Sequence, residues 1–282
     1  MRKNKVCGLF PVICLILVLG ACGSNESALP DLSAMGEITV IAREEGSGTR
    51  SEFETLVDTD EEGADTVALS TEEVLAMVEE DANAIGYLAY SALGDYSGSA
   101  KILSVGGTQC TSENIADGSY ALEREYILAY SGQLSELEVD FITYIRGAGQ
   151  EIVAQTATPV RSTSKFLSGG YSGAITICGS SSMETLMRQL IEGYAQYNPN
   201  AEIVLEISDS SEGLNAAMRG ECDLAMSSRS LASYEEELLE YYVIAADGIA
   251  LIVNEENPLE DLSLSRLKTI YDGGVSDWSS LQ

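Results

Sequence analysis

Four short stretches concentrate hydroxyls and glycines: residues 43–50 (REEGSGTR), 179–183 (GSSSM), 208–213 (SDSSEG) and 226–230 (MSSRS). Each follows an apolar, strand-like run, and most precede helical spacing. A helix N-terminus offers unpaired N–H groups and partial positive charge. Hydroxyls add donors, and glycine lets the backbone come close. This is the chemistry that holds a small tetrahedral oxyanion, and Arg43 adds a planar two-pronged donor. Taken singly, each stretch reads as an ordinary helix cap. Four of them at the carboxyl ends of strands mark the place where open α/β sheets bind ligands.

Other chemistries are excluded by residue type. The chain has no histidine, which removes Ser-His-Asp and Cys-His catalysis and His-bearing zinc sites. It has neither GxxxxGK[ST] nor GxGxxG, so nucleotide binding has no support. No nucleophile–base pair can be named. The expectation is a binding protein with no catalytic residue, no metal and no cofactor.

The elements that must position these loops alternate in type. Strand candidates are 38–42, 84–89, 101–105, 126–130, 174–178, 202–207, 223–226 and 248–253. Helical spacing is read over 51–57, 137–154, 183–197, 212–219 and 263–271. Residues 167–173 (LSGGYSG) form a Gly/Ser-rich break, after which the pattern restarts. Such alternation implies α/β layers with parallel sheets.

The amino end carries a different signal. Arg2, Lys3 and Lys5 precede the apolar run Val6–Leu19, closed by Leu19-Gly20-Ala21-Cys22. The run is shorter than the ~20 residues a membrane span needs. It reads as a secretory signal over residues 1–21. Its ending resembles the lipobox of bacterial lipoproteins, which makes Cys22 the lipidated residue. Residues 22–36 then read as a flexible lipidated stalk. Removing 1–21 leaves 261 residues, room for two domains, with 12 Lys and Arg against 45 Asp and Glu, a formal charge of −33. That surface repels nucleic acid, so an anion must be held by local dipoles and buried cations. Cys110, Cys178 and Cys222 read as small buried hydrophobes. Cys178 ends one strand and Cys222 begins another, an arrangement that puts them out of disulfide reach in a parallel sheet.

The motifs together resemble a known family. REEGSGTR at 43–50, GSSSMETL at 179–186, SDSSEGLNAAMRGECDLAMSSRSL at 208–231, IAADGIALIVNEENPL at 244–259 and LSRLKTIYDGGVSDWSSL at 264–281 are similar to the phosphate-binding proteins of phosphate-specific (Pst) ABC importers. The order differs: in that family the GSSS segment precedes RExGSGT. The chain therefore resembles a circular permutant, with LSGGYSG joining the old ends.

The resemblance implies an α/β, two-domain, periplasmic-binding-protein-like (type II) clamshell. One domain comprises 37–119 plus 248–282 and carries the RExGSGT loop. The other, 120–247, carries the GSSS and SDSS loops, with hinge crossings near Tyr120 and Asp247. It implies a phosphate ligand set of Arg43, Ser47, Gly48, Thr49, Ser181, Ser182, Ser210 and Ser228. Ser228 stands where the family often has an aspartate that accepts from protonated phosphate, which weakens discrimination against sulfate; if sulfate is excluded all the same, Asp209 and Glu45 are the next candidate acceptors. The implied partners are inorganic phosphate, the permease and ATPase of an importer, and the membrane through the lipid on Cys22, at the extracytoplasmic face. The competing readings are a receptor for sulfate or another tetrahedral oxyanion, and a phosphate-sensing or surface-interaction lipoprotein.

Overall fold

The computed structural model describes residues 29–94 and 96–281. The signal at 1–21, Cys22 and the stalk to residue 28 lie outside the described residues. The β-branched run Thr39–Arg43 forms β1 and feeds α1 (Gly48–Val57), whose N-cap Ser47 accepts from the Arg50 amide. β2 (Thr66–Ala68) leads to α2 (Thr71–Glu80), capped by Ser70, and then to the wholly buried β3 (Ala84–Ala89). β4 (Ala100–Ile102), β5 (Ser104–Val105) and α3 (Ser112–Ala116) follow. β6 (Glu123–Tyr130) precedes α4 (Glu136–Ile145), started by a Ser135/Glu138 capping box, and α5 (Gln150–Thr156).

After the 167–173 break come β7 (Gly173–Ser180), α6 (Glu184–Ala195), β8 (Ala201–Ser208), α7 (Ser210–Arg219), β9 (Leu224–Ser227) and α8 (Ser233–Glu236). The long β10 (Glu240–Asn254), β11 (Asp261–Leu262) and α9 (Leu264–Tyr271) complete the chain.

The main sheet runs β2-β1-β3-β10-β6-β9-β7-β8, with β4 on β10. β10 is its spine: residues 240–248 pair with β6, and 249–253 with β3. Two large cores flank this crossing. One draws on Leu32 to Leu122 and Ile249 to Leu281; the other on Tyr126 to Met226 with Ile244 and Ala245. The architecture is the two-domain α/β clamshell.

Several expectations are corrected. The single helix over 137–154 is two helices, because Gly147 and Gly149 occupy the turn between them. A Cβ on Gly149 would lie 2.9 Å from the Ile145 Cα. The strand expected at 248–253 begins eight residues earlier, since Asp247, which looks like a break, is buried and paired inside it. Residues 29–36 are not a free stalk: Leu32 is fully buried, Leu29 and Met35 pack on the same core, and the Gly36 amide donates to Asn83.

Cys178 and Cys222 are joined by a disulfide, with Cα atoms 6.4 Å apart. Cys178 pairs with Ala225 in the ladder, two residues inside β7, and the turn leaving α7 brings Cys222 back over it. Cys110 is buried and free, and burial, the largest cause, pushes its thiol far above the ordinary range.

Candidate functional site

Strand register builds the site. Gly179 pairs with Met226 and Ser180 with Ser208, so three serine loops leave the sheet at one level. In the other lobe β1 ends at Arg43 beside the start of α1. The two sets meet across the cleft. Thr49 Oγ1 lies 2.7 Å from Ser182 Oγ, and an Arg43 Nη donates to Ser181 Oγ at 3.3 Å. The Ser211 amide donates to the Gly46 carbonyl at 3.4 Å. Ser228 Oγ lies 2.9 Å from Ser180 Oγ and 3.4 Å from Ser210 Oγ, and its amide donates to Ser210 Oγ. Of the eight residues expected from the sequence, Arg43, Thr49, Ser181, Ser182, Ser210 and Ser228 are brought together by these contacts, Gly48 packs against Ser210 and Ser228, and Ser47 caps α1 beside them.

Position 48 has room only for glycine. A Cβ there would lie 2.2 Å from Ser210 Oγ and 2.6 Å from Ser228 Oγ, so the lobes meet only because that atom is missing. Glu52 of α1 spans the cleft as well, accepting from the Ser230 amide at 3.0 Å. Arg229 secures the Ser228 loop from behind: it donates to both Glu235 oxygens and to Ser211 Oγ. Burial opposes the Glu235 charge, but these bonds hold its carboxyl below the usual value.

Arg43 is 1% exposed and grips Glu44 with Nε and an Nη at 2.7 and 2.8 Å. Its third donor group reaches Thr71, and its amide donates to the Tyr87 hydroxyl. A second arginine, absent from the expected set, adjoins the site. Arg124 is completely buried on β6, bonded to Thr49 Oγ1 at 2.7 Å, the Ser228 carbonyl at 3.2 Å and Asp247 at 3.0 Å. Asp247 also accepts from the Tyr126 hydroxyl at 2.6 Å and the Ser91 amide at 2.8 Å. Burial first, and the Asp247 charge second, push the Tyr126 phenol far above its ordinary value, so it stays a neutral donor.

Each cation already faces its own carboxylate, so the Arg43–Glu44 and Arg124–Asp247 pairs sum to zero. Attraction for an anion comes from the amino ends of α1 and α7, the amides near Ser181, and the ring of hydroxyls. Of the two substitute acceptors, Asp209 caps α7 and lies against Gly46, while Glu45 is exposed. The carboxylate that adjoins Arg43 is Glu44.

The chain matches the PBP superfamily domain over residues 24–147 and 153–282. It is 35% identical over 277 residues to phosphate-binding protein PstS 2 of Streptococcus pneumoniae, covering 94% of each chain. The belonging is plain. This chain is a member of the PBP superfamily, in its PstS branch.

PstS 2 of Streptococcus agalactiae is 35% identical over 298 residues, covering 100% of this chain and 99% of that one. A crystal structure of a phosphate ABC transporter phosphate-binding protein from Streptococcus pneumoniae superposes with a TM-score of 0.72 at 33% identity, covering 88% of this chain and all of that one. These alignments run end to end, so the PstS 2 relatives share this order of segments. In the PstS branch the sequence signal for the cleft is the strand-end loops. Arg124 and Asp247 carry no such local mark: Arg124 lies between Glu123 and Glu125 at the start of β6, and Asp247 is a single charge in the interior of β10.

Proposed function

We propose that this chain is an extracytoplasmic lipoprotein, anchored through Cys22, that captures inorganic phosphate and passes it to the permease and ATPase of an ABC importer. It binds its ligand and does not transform it. The observation that carries this reading is the closed cleft. A buried arginine, two helix amino ends and serine hydroxyls from both lobes converge there without a general base.

The ligand set is Arg43, Ser47, Gly48 and Thr49 from one lobe and Ser181, Ser182, Ser210 and Ser228 from the other, with Arg124 beside them. The lobes divide at 119/120 and 247/248 and bend there on release. The permuted order has a physical basis in neighbouring ends. The Ile38 amide donates to the Ser276 carbonyl at 2.9 Å, and the Trp278 amide to the Gly36 carbonyl at 3.1 Å. Residues 36–38 and 276–278 therefore lie side by side.

Sulfate is the second reading, favoured by the neighbours of Ser228. Its side chain bonds hydroxyls and, among the described residues, no carboxylate. A hydroxyl donates or accepts, so it penalises fully deprotonated sulfate less than a carboxylate does. Calorimetry with phosphate, sulfate and arsenate tests both readings. Phosphate is expected to bind most tightly, and Arg43→Ala to lose about 2–5 kcal/mol of binding free energy. Ser228→Asp is expected to widen the gap between phosphate and sulfate. Near-native phosphate affinity in Arg43→Ala removes Arg43 from the site; tighter sulfate than phosphate replaces the first reading with the second.

A further inference from the structure

Basic residues are scarce here, and nearly all are spoken for. Twelve lie between residues 29 and 281. Arg43, Arg50, Lys101, Arg124, Arg188, Arg219, Arg229 and Lys268 each pair with a carboxylate. Arg146, Arg161 and Lys165 do not, among the described residues. These three line two adjoining cavities on the second lobe, of about 490 and 580 Å³, which share Leu134, Val139 and Thr143 as walls. In a protein with 45 acidic residues, three unpaired cations on one patch need a reason.

The smaller cavity is a built one. Arg146 is half-buried at the end of α4, with its guanidinium carbon 4.4 Å from the centre of the Tyr242 ring. Its Nε is buried with no hydrogen-bond partner, a state that buried polar groups rarely keep. Across the cavity, Arg161 is positioned from below. The Gln150 side chain is fully buried and its oxygen accepts from the Val160 and Arg161 amides, while its nitrogen donates to the Ile145 and Ile244 carbonyls. Ser162 and Ser164 add hydroxyls, and Leu134, Val139 and Ile142 supply an apolar wall.

We propose that this cavity is a second ligand site, for a small monocarboxylate with an apolar body. Guanidinium groups suit carboxylate or phosphate heads, and the apolar wall suits a hydrocarbon or aromatic body. The volume is that of a small-molecule pocket. The choice between heads follows from the helix. Arg146 caps the carboxyl end of α4, whose partial negative charge adds to the acidic field and disfavours a phosphate dianion relative to a monoanion. The site stands apart from the oxyanion cleft, so it is independent of the reading proposed for that cleft.

Titrating the full chain, held in saturating inorganic phosphate, with phenylacetate, phenylacetamide and phenyl phosphate tests this by calorimetry and NMR. Phenylacetate is expected to bind, and the neutral amide to bind about tenfold more weakly, the loss of a charge-assisted bond. Phenyl phosphate is expected to be weaker than phenylacetate. Arg146→Met, which keeps the apolar stem, is expected to weaken phenylacetate about tenfold while leaving phosphate affinity unchanged. Four outcomes overturn the proposal: no phenylacetate binding, equal binding of the amide, unchanged binding in a folded Arg146→Met, or phenyl phosphate binding as tightly as phenylacetate. If that variant does not fold, the amide and phenyl phosphate arms on the wild-type chain decide alone.

Discussion

Asp247→Asn tests whether the buried pair at the lobe crossing organises the cleft. Asp247 and Arg124 are both 0% exposed in their side chains. One carboxylate oxygen accepts from Arg124 and Tyr126, the other from the Ser91 amide. Asparagine supplies one acceptor and one donor, so in either orientation its NH₂ faces an existing donor. That mismatch costs about 1–3 kcal/mol, and breaking a buried ion pair from one side costs roughly 3–5 kcal/mol in total. At roughly 2–4 °C per kcal/mol for a chain of this size, melting is expected to fall by roughly 6–20 °C. The variant also leaves the Arg124 charge uncompensated beside Thr49. A phosphate anion then supplies the missing negative charge, so saturating phosphate is expected to narrow the gap to wild type. Thermal melting with and without phosphate reads both effects. A variant melting within about 2 °C of wild type, or a gap that phosphate leaves unchanged, refutes this account of the pair.

Gly48→Ala is expected to hold the lobes apart by about 1 Å and weaken phosphate about a hundredfold, read by calorimetry, while the chain stays folded because alanine suits a helix start. Glu61 is buried, and burial pushes its carboxyl from 4.5 up to about 7, against opposing pulls from Tyr87 and Arg50. Its folded value is raised, so its contribution to stability is full below pH 4.5 and is lost as pH rises through about 7. Glu61→Gln is therefore expected to match wild type near the low end of that window and to be more stable by about 3 kcal/mol above it, measured by melting across pH. Cys222→Ser opens a disulfide spanning 44 residues and is expected to cost about 2–4 kcal/mol in denaturant unfolding. Joining residue 282 to residue 37 and opening the chain at Gly170 is expected to preserve folding and phosphate binding, since loop closure changes little with length; a folded product without binding overturns the proposed boundaries.

The strand-end loops were legible because their chemistry is local. Ser47 caps α1 and Asp209 caps α7 within three residues of the amides they satisfy, and such contacts leave a sequence pattern. The helix at 71–80 went unread although Ser70 caps it in the same way, because its acidic outer face dilutes the apolar spacing. The two-lobed plan was legible from motif resemblance, and the alternation of strands and helices agrees with it.

Residues 29–36 show where composition misleads. A stretch with Pro30 and several polar residues reads as a tether, yet Leu32 finds a completely buried place on the first core. No local pattern announces such docking, since its gain comes from a cavity supplied by distant segments.

The amino-acid sequence by itself determined which groups can hold an anion: hydroxyls, amides at helix starts and Arg43, in a chain without histidine. Tertiary structure alone decided how charge is distributed around them. The Arg124–Asp247 pair spans 123 residues, and Cys178 reaches Cys222 only because α7 returns the chain across the sheet. The closeness of Gly48 to Ser210 and Ser228 likewise exists only when two lobes meet. Hydrogen-bonded caps are set by neighbours in the chain, whereas buried charge pairs, disulfides and lobe contacts depend on which distant strands the sheet places side by side.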